Sequence, residues 1–267
     1  MKLPFYWIDA FTDRVFSGNP AGVVPLAEWL PDAVMQKIAF ENGLAETAFF
    51  VPIGANEFHL RWFTPAIEVD LCGHATLATA HVLFNELGTS GKSIMFNSRS
   101  GPLHATTVES GMVELNFPTR PANTAATEPL GSSVSSALGL APRELLQVNG
   151  LDHFLACFEE AKTVRSLTPD YAALARMGDV RVIATAPGGG CDFVSRFFAP
   201  GAGIPEDPVT GSAHCTLVPY WAKRLGKTKL HARQISARGG ELFCELKGER
   251  VHMAGHSVCY LRGDLSV

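Results

Sequence analysis

Short runs rich in aromatic and β-branched residues at 6–11, 21–25, 45–51 and 58–63 alternate with turn-forming clusters and predict strands. Between the first two runs, Ser17-Gly18-Asn19-Pro20 supplies turn conformations at low cost. Residues 29–40 read as a helix with Pro31 near its first turn, and 74–87 as a second helix closing at Gly88. Three more strands are predicted at 92–96, 103–108 and 112–117. The stretch 118–129 is rich in Pro, Thr, Ala and Asn and reads as a linker. Beyond it come helices at 134–139 and 169–177, strands at 147–157, 180–186 and 192–198, and a helix at 212–225. Pro219 should kink that helix, because it cannot donate to the preceding turn. Short strands at 235–236, 242–246, 251–253 and 258–262 close the chain, with Arg238-Gly239-Gly240 as a turn. The pattern predicts an N-terminal lobe over 1–118, a linker over 119–129 and a C-terminal lobe over 130–267, whose final strand can cross to the first lobe.

One pattern occurs twice. Arg61-Trp62-Phe63-Thr64-Pro65 is followed by Glu68 and Asp70, then by Cys72-Gly73-His74-Ala75 and a helix ending at Leu87-Gly88. Arg196-Phe197-Phe198-Ala199-Pro200 is followed by Glu206 and Asp207, then by Thr210-Gly211-Ser212-Ala213 and a helix ending at Leu225-Gly226. With three extra residues in the second acidic stretch the copies match at Arg, Phe, Pro, Gly, Ala, Leu and Gly. Two related lobes follow, and mixed strands and helices in similar halves predict an α+β pseudo-dimer.

Composition narrows the partners. A chain of 267 residues, 46% hydrophobic, has enough material for two cores. A net charge of −4 with scattered Lys and Arg offers no basic face for a phosphate backbone, so no nucleic-acid partner is expected. The longest apolar runs fall short of the ~20 residues that span a bilayer, so no membrane partner is expected. Asp9, Asp13 and Arg14 interrupt any signal-peptide core, and the six cysteines are scattered without zinc spacing. The expectation is a cytoplasmic protein with reduced thiols and no structural metal.

The two helix starts carry the candidate chemistry. Each opens at a glycine followed by a polar residue, and the free N–H groups and partial positive charge there suit a carboxylate or phosphate. Were the lobes to pack about a pseudo-two-fold axis, both starts would face one cleft. Gly73, Gly211 and Ser212 are therefore candidate binding positions, against the simpler reading that the glycines only permit close packing. Glu46 sits among Leu44, Ala45, Ala48, Phe49 and Phe50, where a buried carboxylate loses solvation and its pKa rises toward proton-transfer duty; strand alternation equally allows it to face solvent. His74 begins the first helix, where the dipole should depress its pKa and favour the neutral ring. Asp207 is either a functional acid or a helix cap, and Glu68 and Asp70 read as caps or solvated groups. Cys72 directly precedes a helix, which should lower its pKa and make it a candidate base. A two-cysteine racemase would need a second acid at Thr210, whose hydroxyl is too weak, and Cys215 lies too far along the helix to replace it.

The segments DAFTDRVFSGNPAGVV, ENGLAETAFF, RWFTPAIEVDLCGHATLATA, EDPVTGSAHCTLVPYWAKRLGK and ARQISARGGEL closely resemble the phenazine-biosynthesis-like (PhzF-like) isomerase family, which shares the diaminopimelate epimerase fold. The resemblance runs in order over nearly the whole chain. It implies two lobes, each a strand-rich barrel-like sheet around a central helix, an active site between them, a homodimer, and catalysis without cofactor or metal. The family's acid/base glutamate falls on Glu46, its active-site histidine on His74 and its aspartate on Asp207, with substrate-contacting positions at Gly73, Gly211 and Ser212. The implied function is proton transfer between carbons of a small carboxylate-bearing metabolite. Cys72 stands where the epimerase branch carries a catalytic thiol, which keeps an amino-acid epimerase or racemase open as an alternative. An inactive small-molecule-binding or interaction module is the reading from another class.

Overall fold

The computed structural model describes residues 1–267. The first strands and helices are β1 (Lys2–Ala10), β2 (Asn19–Pro25), α1 (Asp32–Asn42), β3 (Glu46–Gly54), β4 (Glu57–Phe63), β5 (Glu68–Val69) and α2 (Gly73–His81). After them come β6 (Ser93–Ser98), β7 (Gly101–Thr107), β8 (Val113–Pro118), β9 (Ala122–Ala125), α3 (Leu130–Ala137), β10 (Glu144–Val148) and β11 (His153–Cys157). The remainder is α4 (Ala161–Ser166), α5 (Tyr171–Arg176), β12 (Arg181–Pro187), β13 (Phe193–Ala199), β14 (Ile204–Asp207), α6 (Gly211–Leu225), β15 (Lys229–Gln234), β16 (Gly240–Lys247), β17 (Arg250–Gly255) and β18 (Ser257–Ser266). The chain forms two compact units, Met1–Asn116 with Met253–Val267, and Phe117–His252.

The division departs from the expected lobes over 119–129. Residues 119–129 are not a linker: Ala122 and Ala125 pair with Val148 and Leu146, and the Thr127 N–H and hydroxyl both donate to Gln147 Oε1. The last fifteen residues belong to the first unit, because β18 runs antiparallel to β1 from Lys2–Ser266 to Ala10–Ser257.

Each unit repeats one pairing plan. In the first, β1 is antiparallel to β2, β2 parallel to β3, β3 antiparallel to β4, β4 antiparallel to β5 at one end and parallel to β6 at the other, and β6 antiparallel to β7. In the second, β10 is antiparallel to β11, β11 parallel to β12, β12 antiparallel to β13, β13 antiparallel to β14 and parallel to β15, and β15 antiparallel to β16. Alternation divides the strands between two apolar layers. Phe49, Val51 and Phe63 pack with Met35, Ile38 and Ala39 of α1 on one face. On the other lies α2, buried from His74 through Ala80 and in contact with β1, β2, β3 and β18. A helix apolar all round is one enclosed by its own sheet.

The repeated Arg and Glu turn out to be a structural fork. Arg61 donates from Nε and Nη2 to Glu68 at 2.7 and 2.8 Å, and Arg196 donates likewise to Glu206 at 2.7 and 2.7 Å. Each guanidinium also lies over the aromatic ring two residues on, Phe63 at 5.2 Å and Phe198 at 4.9 Å. Glu68 is thus neither a cap nor a solvated group; it holds Arg61 and Arg99.

Other local expectations are corrected in the same terms. α6 runs unbroken through Pro219, and the Cys215 carbonyl that this proline cannot satisfy accepts the Arg120 N–H at 2.9 Å. The helix at 74–87 is α-helical only to His81 and then widens to a π turn over Val82–Glu86, with a Leu87 N–H to Val82 carbonyl bond of 2.9 Å. The strand expected at 147–157 is two strands, β10 and β11, separated by a turn in which Gly150 adopts φ 72°. The strand expected at 235–236 lies upstream as β15, with Leu230, Ala232 and Gln234 turned inward.

Candidate active site

The first unit brings Glu46, Cys72 and His74 together. Glu46 opens β3 on the face opposite the α1 layer, and His74 is the second residue of α2; the two elements are in contact. His74 Nε2 lies 3.2 Å from Glu46 Oε2, and its Nδ1 lies 3.2 Å from Asn19 Nδ2 and 3.5 Å from Cys72 Sγ. The Glu46 contact is close but poorly aligned for a hydrogen bond, so both facing atoms are buried and unsatisfied. Burial works against a charge on His74, but the Cys72 and Glu46 side chains beside it outweigh that and hold its pKa well above the ordinary imidazole value. The depression expected from the helix dipole is overridden by a carboxylate in contact. For Cys72 the expected lowering is also reversed. Burial, reinforced by the Glu46 charge, pushes the thiol up to about 11. With Cys72 protonated near neutral pH, Glu46 is the partner left to favour a charged ring, whereas Asn19 Nδ2, which can only donate, calls for a lone pair on Nδ1.

These three side chains offer ligand atoms within 4.8 Å of one another, a donor set with the chemistry of a transition-metal site. Their aim does not converge. His74 turns Nδ1 to Cys72 and Nε2 to Glu46, so no single imidazole nitrogen shares one point with both. The arrangement fits proton exchange between Glu46 and His74 better than coordination.

In the second unit Asp207 ends β14 and Thr210 immediately precedes α6. Thr210 Oγ1 donates to Asp207 Oδ2, and Gln234 Nε2 donates to Thr210 Oγ1 at 3.1 Å and to the Asp207 carbonyl at 2.7 Å. Asp207 is therefore not the helix cap. Gly211 is buried and Ser212 exposed at the start of α6. Cys215 is buried, and burial pushes its thiol up to about 12.

Strand register gives each residue its counterpart. Trp62 faces Val69 as Phe197 faces Asp207, so Val69 stands where the second unit has Asp207. Thr47 faces Phe63 as Val182 faces Phe198, so Glu46 corresponds to Arg181. Cys72 corresponds to Thr210, His74 to Ser212 and Thr76 to His214. Asn19 and Gln234 were missing from the sequence-based site: the first read only as a turn residue, and the second sits in a quoted segment without a role. Gln234 is buried to 1% exposure in a strand, and a polar residue at an inward position was the available signal.

The model of the family described as phenazine biosynthesis-like protein matches residues 8–263. The chain belongs to this family. A Pseudomonas aeruginosa relative described as an uncharacterized isomerase is 52% identical over 264 residues, covering 98% of each chain. The crystal structure of a PhzF-family phenazine biosynthesis protein from Enterococcus faecalis superposes with a TM-score of 0.93 at 45% identity, over 100% of both chains. A hydroxyproline epimerase from Agrobacterium vitis, 11% identical with a TM-score of 0.61 over 99% of this chain and 92% of its own, shares the fold. The chain is thus an isomerase-class member of the family, with the α+β epimerase-like architecture. No helix is long and apolar enough to cross a membrane.

Proposed function

We propose that the protein catalyses proton transfer between carbons of a small carboxylate-bearing metabolite, with Glu46 as the acid/base. The observation that carries this reading is the Glu46–His74 pair: two buried polar atoms 3.2 Å apart that do not satisfy one another. A carboxylate in contact with an imidazole, at a point little exposed to water, is the arrangement that positioned acid/base transfer requires. Glu46 takes the proton from one carbon and returns it to another. His74 beside it donates from Nε2 to Glu46, or to a ring or an amino or hydroxyl substituent. In the second unit Asp207 is the candidate to orient a polar substituent, and the N–H groups at Gly211 and Ser212 suit a carboxylate, as do those at Gly73 in the first unit. The reaction needs no cofactor. Homodimer assembly, which rests on the family resemblance, and a cytoplasmic setting, which rests on the scattered cysteines, complete the proposal; sedimentation of the purified protein tests the first.

The test is incubation of a panel of amino, hydroxy and cyclohexadienyl carboxylic acids in heavy water, followed by mass spectrometry and NMR. Deuterium incorporation or an isomerised product that vanishes in Glu46→Gln supports the proposal. Exchange that survives in Glu46→Gln and vanishes in Cys72→Ala moves the chemistry to the thiol, as an epimerase. Tight binding of a panel acid without exchange identifies a binding module.

A further inference from the structure

Threonine is a preferred N-cap because its hydroxyl accepts an N–H from the first helical turn. This chain makes such a cap elsewhere: Asp170, before α5, accepts the Ala173 N–H at 2.8 Å. Thr210 holds the N-cap position of α6 and makes no side-chain cap bond. All three of its polar groups are engaged otherwise. Its N–H donates to Gln234 Oε1 at 2.9 Å, its carbonyl accepts from His214 Nδ1 at 2.8 Å, and its hydroxyl reaches Asp207 Oδ2.

The polarity of this network is forced. Only an oxygen can accept the Thr210 N–H, so the Gln234 amide has one orientation, with Oε1 toward the backbone and Nε2 toward Thr210 Oγ1. That oxygen therefore receives a hydrogen from Gln234 and has its own to give. The recipient is Asp207, which is thereby held as an acceptor, with its main-chain carbonyl bound to the same Gln234 nitrogen at 2.7 Å. Asp207, Thr210 and Gln234 are 8%, 6% and 1% exposed, so little water competes for these bonds.

We infer that Thr210, backed by Gln234, is a positioning residue that fixes the Asp207 carboxylate as an oriented hydrogen-bond acceptor, and that the ordinary capping of α6 is given up for it. The inference rests on the assignment of Asp207 to the reaction made above. Cys72 is the equivalent device in the first unit: it too is an N-cap without a cap bond, and its side chain turns to His74.

The test compares Thr210→Val, which keeps the shape and removes the hydroxyl, with Thr210→Ser, which restores it, each alone and with Asp207→Asn. The substrate probe is the panel acid that exchanges fastest in heavy water. Thr210→Val should lower kcat/KM on the order of 10- to 100-fold, the range for a hydrogen bond to a charged group, while Thr210→Ser stays within about three-fold of wild type. In the Asp207→Asn background Thr210→Val should cost nothing further, because the two act as one unit. Crystal structures of both Thr210 variants give a readout that needs no substrate: Asp207 should leave its rotamer or split between conformers in Thr210→Val and hold it in Thr210→Ser. An unmoved Asp207 in Thr210→Val, or additive losses with Asp207→Asn, overturns the inference. Full exchange by Asp207→Asn alone would instead remove Asp207 from the reaction.

Discussion

Cys72 and Thr210 stand at the same point of the two units, one residue before the glycine that opens a buried helix. Each turns its side chain toward a titratable group, Cys72 to His74 and Thr210 to Asp207. One turn further on, Thr76 Oγ1 donates to the Cys72 carbonyl at 2.6 Å and His214 Nδ1 to the Thr210 carbonyl at 2.8 Å, so a threonine and a histidine do the same work. The frame is duplicated and the titratable groups are not. Glu46 faces Arg181 in the comparison, His74 faces Ser212, and Asp207 faces Val69. The shared residues, above all the two Arg–Glu forks, hold each hairpin against its neighbours; the unshared ones carry the candidate chemistry.

The largest expected effect separates Glu46 from its counterpart. Glu46→Gln should lower the exchange rate about 10²- to 10⁴-fold, the usual worth of a positioned acid/base. Arg181→Gln should leave it within about two-fold, since Arg181 pairs with Asp179 at the surface. Similar losses in both variants would break the assignment of chemistry to the first unit.

The two forks should differ in stability. Arg196 also donates from Nη1 to the carbonyls of Val164, Arg165 and Leu167 at 3.2, 3.3 and 2.7 Å, whereas the third contact of Arg61 is the exposed Asp32. Arg196→Leu leaves a largely buried carboxylate and these carbonyls without their donor and should cost about 3–5 kcal/mol in urea unfolding. Arg61→Leu should cost about 1–2 kcal/mol, because Arg99 still meets Glu68 at 2.6 Å. Equal losses would mean that the forks are interchangeable.

The third contrast is between buried histidines. His214 has no acid beside it, and burial lowers its pKa to about 4. Its folded value lies below the unfolded value, so its contribution is fully present above about pH 6.5 and is lost as pH falls toward 4, by roughly 3 kcal/mol. His74 is shifted the other way, so its contribution is present below about pH 6.5 and is lost as pH rises through its folded value. His214→Thr, which copies Thr76, should flatten the acid side of the stability profile, and His74→Gln the alkaline side. A profile unchanged on the acid side in His214→Thr would mean that His214 is not held neutral.

Much of this contrast was legible in the chain itself. Arg61 and Arg196 announced two units because a repeat in spacing reflects a repeat in pairing. Glu46 was only weakly marked by its neighbours, since alternation allows a strand carboxylate either face, and it was the family resemblance that raised it. The helix dipole does not set the electrostatics of the helix starts. A dipole argument sees only the local helix, whereas the states of His74 and Cys72 depend on burial and on Glu46, which is brought to them by β3 from 28 residues upstream of His74. Gln234 joins Asp207 from 27 residues away through the β13–β15 pairing, and no local pattern announces such a contact. Residues 119–129 read as a linker because β-strand pairing asks little of composition at a sheet edge.

The smallest effect expected is at Cys72, and it bears on the alternative in which the thiol is the base. A thiol held at about 11 is almost wholly protonated near neutral pH, and thiolate is the only form that abstracts a proton well. Cys72→Ser keeps a small polar group beside His74 Nδ1, so exchange should fall no more than about five-fold, far short of the acid/base loss expected at Glu46. Alkylation points the same way. Iodoacetamide should modify Cys72 more slowly than the partly exposed Cys191 and Cys259 at pH 8, because burial denies it both ionisation and access. A loss of 10²-fold or more in Cys72→Ser, with fast alkylation at Cys72, would transfer the base from β3 to the start of α2 and make the first unit's chemistry that of a thiol epimerase.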